Sequence, residues 1–123
     1  MITDFQPTAY TLIRDLVIAI HTNATTLLYT KFNLTDAVWK ELQEELDHFY
    51  GPERQLGIAP IAQAFDNSSR DRPYIALFPM QEPETWGVEC VLWNHGKPSD
   101  AILHLKLHHL EAAWMLRYSY LGA

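Results

Sequence analysis

Histidines are the residues of this chain best equipped for chemistry, and three of its six, His104, His108 and His109, fall in one short run. Two imidazoles four positions apart make one edge of a zinc site only on a helix, where they share a face one turn apart. On a strand the same spacing separates them by about 13 Å, too far to share an ion. Leu103, Leu105 and Leu107 alternate with His104, Lys106 and His108, a period of two that predicts a strand with leucines inward and imidazoles toward water. No metal is expected there. Ser99-Asp100 is also an acceptable helix start, and the Ala, Leu, Lys and Glu residues up to position 113 are good helix formers. A helix over 99–113 would restore the case for a metal pair.

Glu41, Glu44, Glu45 and Asp47 offer neighbouring carboxylates. A general acid–base pair needs one member desolvated so that its pKa moves, and these four fall on the polar face of an amphipathic helix. They read as a solvated face whose functional use is docking of a basic partner. Cys90, the single cysteine, alternates with apolar neighbours and has no adjacent base or helix start to stabilise a thiolate, so it reads as a small core residue. There is no G-x-S-x-G, no glycine-rich phosphate loop and no H-E-x-x-H, and the five glycines are scattered singly. No catalytic residue and no cofactor are predicted.

Trp39, Phe49, Tyr74, Phe78, Trp86 and Trp114 occupy positions that read as core. Trp93 shares the parity of Glu89 and flanks a polar turn. Exposed, it would join His104, Lys106, His108 and Arg117 in a basic, aromatic outer sheet face, a combination enriched where proteins bind proteins.

The elements that must position these groups follow from spacing. Pro7 at a first helical turn, then Leu12, Ile13, Leu16, Val17 and Ile20, predicts a helix from about Pro7 to His21. Thr26 to Phe32 is a short apolar piece suited to a helical turn or two. Thr35-Asp36 caps a second helix that buries Val38, Trp39, Leu42, Leu46, Phe49 and Tyr50 and stops at Gly51-Pro52. The stretch 52–73 reads as loop, with a helical turn opening at Pro60 and burying Ile61, Ala64 and Phe65. Tyr74 to Phe78 reads as a strand covered on both faces. Trp86 to Trp93 is a strand with Trp86, Val88, Cys90 and Leu92 on one side, followed by a turn over 94–98. The last strand sets Trp114, Leu116, Tyr118 and Tyr120 against Arg117 and Ser119. Helices first and consecutive antiparallel strands after them make one α+β domain over 1–123, with the helices laid on one face of a curved sheet.

Composition narrows the function classes. With 48% hydrophobic and 20% charged residues in 123, the chain is too apolar for a disordered segment, and its apolar runs stop short of the about 20 residues a bilayer span needs. Fifteen acids against nine bases give −6, the wrong sign for neutralising a phosphate backbone, so nucleic acid is not the expected partner. One cysteine and no basic, then apolar, leader fit a cytoplasmic location.

Trp86-Gly87-Val88, Leu92-Trp93-Asn94 and Ser99-Asp100 followed by the alternation from Ile102 to Leu107 resemble the C-terminal half of a group of small uncharacterised bacterial domains. The order of elements is similar to the cone-shaped fold of the nuclear transport factor 2 superfamily. That resemblance implies either a small isomerase or dehydratase, with an Asp or His inside the cone, or a member that only binds or dimerises. Asp100 at a strand entrance and His104 on the outer face do not reproduce the enzyme pattern. The expected function is therefore a non-enzymatic, acidic bacterial protein that occupies a partner protein. A toxin-neutralising immunity protein with a basic target is one form of it, and a purely structural homodimer that pairs its outer faces back to back is a separate reading. The alternative is a cone-fold carrier or proton-transfer enzyme, which requires a pocket of about 300 Å³ or more holding an ionisable group.

Overall fold

The computed structural model describes residues 5–68 and 71–123. Helix α1 (Gln6–His21) opens with Pro7 in its first turn and buries Ala9, Ile13, Leu16, Val17, Ala19 and Ile20. After a left-handed Asn23, α2 (Thr25–Thr30) drives Leu28 inward. In α3 (Asp36–Tyr50) the Thr35 hydroxyl caps the start by accepting the Val38 N–H at 3.2 Å. Gly51 closes the helix at φ 77°, a conformation that favours glycine. Trp39, Leu42 and Leu46 form the buried stripe of α3, and the carboxylates lie outside it. A two-residue β1 (Leu56–Gly57) and the single turn α4 (Ile61–Ala64) lead to the sheet strands β2 (Ile75–Pro79), β3 (Thr85–Asn94), β4 (Lys97–Leu110) and β5 (Ala113–Gly122).

All strand pairs are antiparallel. The order is β1-β3-β4-β5, and β2 shares with β1 the outer edge of β3, where it pairs Ile75 with Cys90 and Pro79 with Trp86. His95 and Gly96, at φ 53° and 75°, make the two-residue turn between β3 and β4. Lys97 and Pro98, read as turn residues from the sequence, already belong to β4.

Inward side chains of the sheet meet the helices in one core. Val88, Cys90 and Leu92 from β3, Leu103, Leu105 and Leu107 from β4, and Leu116 and Leu121 from β5 pack with Ile13, Leu16, Leu28, Phe32, Leu42 and Leu46. Burying a leucine of this kind contributes about 1.5–3 kcal/mol. Residues 99–110 are strand, so the helical alternative for that stretch does not occur.

Four readings from the sequence change. Ile61 is 52% exposed while Ala64 is buried, because α4 is one turn long and presents only its last residue to the core. β2 is not covered on both faces: only Ile75 is buried, and Phe78, 41% exposed, lies outward with its ring over the Cα of Gly87, its partner on β3. Tyr74 is half-buried and packs edge-on against Trp93 at 5.3 Å. Finally, Leu105 pairs with Tyr118 and His104 with Tyr120, which leaves Ser119 as an extra residue in β5. That bulge reverses the alternation, turning Tyr120 outward and Leu121 into the core.

Candidate functional site

The outer face of the sheet is the side the helices leave uncovered, and register decides which side chains meet on it. Lys106 of β4 stands opposite Gly87 of β3 and Arg117 of β5. One pair along, His104 stands opposite Glu89 and Tyr120. One pair the other way, His108 stands opposite Thr85 and Met115. His104, Lys106, His108 and Arg117, singled out by the sequence, thus form one contiguous block. Around them Phe78, Met115 and Tyr120 are exposed. A flat surface results because Phe78 lies over Gly87, and Tyr120 stacks on the His104 ring at 4.1 Å beside Gly122.

Polar contacts hold the block in place. Glu89 pairs with Arg72 and lies 3.9 Å from His104 Nδ1, and Lys106 lies 3.8 Å from Glu82. The Thr85 hydroxyl donates to the Pro83 carbonyl at 3.1 Å and accepts from His108 Nδ1 at 3.2 Å. His108 Nε2 is occluded and has no hydrogen-bond partner among the described residues. Burial lowers the pKa of His108, with the charges of Arg117 and Lys106 acting in the same direction and Glu82 against them. His108 is therefore held neutral, and its contribution to the face is packing rather than charge.

Trp93 does not join the block. It lies on the same face of β3 but six residues from Gly87, about 20 Å along the strand, and half-buried against Tyr74. A register shift between Val91 and Trp93 pairs it with Pro98 at the hairpin end. Glu41, Glu44 and Glu45 are exposed on α3, away from the outer face. They are joined instead to the far edge of the sheet, where Glu41 and Glu45 share a groove with Tyr118, Ser119, Tyr120 and Leu121. Sequence reasoning missed Tyr120, Met115 and Phe78 as surface residues. The first was hidden by the bulge, and Phe78 by an apolar strand that gives no sign of which face is open.

Chemically, the block offers two permanent cations, a carboxylate and flat apolar rings, the ingredients of a protein-contact surface. The inward face offers little else but apolar side chains. Cys90 is fully buried, and burial pushes its thiol pKa up to about 12, so it is a packing group. Among the described residues no set of three His, Cys, Asp or Glu side chains is arranged to hold a metal, and no helix is long and apolar enough to cross a membrane. Asp100 is exposed near the β3–β4 turn, where it borders a cleft of about 220 Å³ with Arg72, Glu89 and Ser99 on the outer face.

Comparison with protein-family models, with curated proteins and with solved structures finds no match to this chain.

Proposed function

We propose that this chain is a non-enzymatic binding protein that occupies a partner protein, and that the outer sheet face is its docking surface. The observation that carries the reading is the exposure of this sheet face: Phe78, Met115 and Tyr120 lie open to solvent around Lys106 and Arg117, while Arg72 and Glu82 of the flanking segments reach it only through ion pairs with Glu89 and Lys106. Apolar side chains left in water cost free energy that a partner recovers by covering them, and the cations set orientation and rate of approach. A toxin-neutralising immunity protein remains the concrete form favoured by the overall charge of −6, which suits capture of a basic target. A cytoplasmic, bacterial setting and the cone architecture of the nuclear transport factor 2 superfamily belong to the same proposal. Helices packed on one side of a curved antiparallel sheet support that architecture. The carrier or proton-transfer alternative needs a pocket of about 300 Å³ or more with an ionisable group inside the cone; the inner face carries Val88, Cys90, Leu103, Leu105, Leu107 and Leu116, and the clefts of that size, about 480 Å³ beside Asp15 and Lys31 and about 350 Å³ beside Lys97 and Asp100, lie elsewhere.

Site-directed photo-crosslinking tests the proposal. A benzoylphenylalanine placed at Met115 should give an adduct of defined mass in cells of origin, and one placed at Ile18, exposed on α1, should give none. An adduct of twice the chain's own mass would identify the occupant as a second copy. Lys106→Glu with Arg117→Glu should abolish the adduct while leaving the melting temperature unchanged. Equal labelling from both positions, or none from Met115, would reject the outer face as a docking surface.

A further inference from the structure

The geometry points to a second docking site: we propose that the groove between α3 and β5 binds an extended, basic segment of a partner protein, with Lys or Arg at alternate positions. The groove holds about 270 Å³, with Val38, Glu41 and Glu45 on one wall and Tyr118 to Leu121 on the other. The β5 wall contains the Ser119 bulge, and β5 is the last strand of the sheet, so the groove lies against that edge where the alternation of the strand is broken. It is not a free ladder, because the Tyr118 N–H already reaches the Phe32 carbonyl at 3.4 Å. An occupant lies in it by side-chain contacts.

Charge complementarity decides its class. Helix α3 carries five acids against one lysine, and so most of the net charge of the chain. Asp47 is paired with Arg54, whereas Glu41 and Glu45 make no ion pair among the described residues. Their field crosses the groove. The Tyr118 hydroxyl is held protonated well above its ordinary range, by burial first and by the carboxylates of Glu41 and Glu45 next.

Spacing decides the conformation. Glu41 and Glu45 are one turn apart, about 6 Å along the helix. Alternate residues of an extended chain are about 6.6 Å apart on one side, so two cations at i and i+2 meet both carboxylates at once. Adjacent cations point to opposite sides, and only one can reach the wall. Tyr118 and Tyr120 supply apolar surface for the aliphatic stems of the same side chains.

This inference goes beyond the outer-face reading, because it depends on Glu41 and Glu45, which that face does not include, although Tyr120 borders both. The test uses fluorescence anisotropy of the full chain with two fluorescein-labelled peptides of one composition, the first alternating lysine and valine, the second with its lysines adjacent. The alternating peptide should bind more tightly. Glu41→Gln with Glu45→Gln should weaken it by about tenfold. Asp66→Asn with Glu111→Gln, which removes the same charge elsewhere, should leave it unchanged, and Lys106→Glu with Arg117→Glu, which adds negative charge, should not weaken it. Backbone amide shifts should move in residues 38–45 and 118–121. Equal binding of both peptides, equal loss in the two charge-neutralised variants, shifts confined to other regions, or no binding would each overturn the proposal. Failure of the Met115 adduct alone would leave it standing.

Discussion

Single residues whose backbone or protonation state opposes the fold are the first place to test it. Glu111 and Ala112 make the two-residue turn between β4 and β5 with φ of 50° and 65°, although neither is Gly, Asn or Asp. The left-handed region costs a residue with a Cβ about 1–2 kcal/mol. Ala112→Gly should therefore raise stability by about 1 kcal/mol, read as a shift in the denaturation midpoint, despite the extra freedom glycine gives the unfolded chain. No change or a loss would mean that the turn is not left-handed at this position. His108 gives a prediction of opposite character. Its folded pKa lies below the ordinary value, so between the two values the unfolded chain binds more protons than the native one. The stability this neutral imidazole supports is present above about pH 6.5 and falls as the medium is acidified through that range. His108→Gln should flatten the acid limb of a stability profile measured from neutral to mildly acidic pH. An unaltered limb would show that other groups carry it. Cys90 should resist alkylation at neutral pH in the native state and react only as the chain unfolds, since its thiol pKa stands near 12 and no path from solvent reaches it.

At the scale of elements, the bulge at Ser119 is the feature on which the two sides of β5 depend. Leu121 is buried and Tyr120 is 56% exposed, opposite to what strict alternation from Trp114 would give. Leu121→Ser should thus cost about 2 kcal/mol or more, while Tyr120→Ser should stay within about 0.5 kcal/mol, as surface substitutions do. Comparable losses at both positions, by chemical denaturation, would place the bulge elsewhere. The same feature shows why some elements were legible in the sequence and others were not. α1 and α3 carry their own start and stop residues, Pro7, Thr35 and Gly51, and an apolar stripe at helical spacing, so local chemistry alone locates them. β4 is legible because its leucines and its polar residues alternate without a break over Leu103 to His108. A bulge in a neighbouring strand leaves no such trace, because the extra residue is defined by pairing with β4 and not by its own type. β1, two residues long, exists only because β3 offers it an edge. The candidate site divides in the same way. His104, Lys106, His108 and Arg117 were brought together by parity that the sequence displays, whereas Trp93 was separated from them by distance along the strand, which parity does not measure.

For the whole molecule, the distribution of tryptophans makes the single-domain reading testable. Trp39 is buried in α3, Trp93 packs against Tyr74 at the β3–β4 hairpin end, and at the opposite end of the sheet Trp114 stacks on Phe5 with Trp86 tilted against both. The core that joins these regions is continuous, running from α1 and α3 through β4 to β5 without a polar layer between. A chain of this size with one such core is expected to unfold in a single cooperative step. Three variants that each keep one of the regions fluorescent, by replacing the other tryptophans with phenylalanine, should lose their signal at one denaturant concentration and with one slope, coincident with far-ultraviolet circular dichroism. Leu103→Ala, made in the centre of the sheet where the side chain is fully buried, should move all of these curves together by about 2–5 kcal/mol. Loss of the Trp86 and Trp114 signal ahead of the Trp93 signal would instead divide the molecule along β3 and β4. The outer face would then span two units able to move against one another, and its flatness would no longer be a fixed property on which a partner could dock.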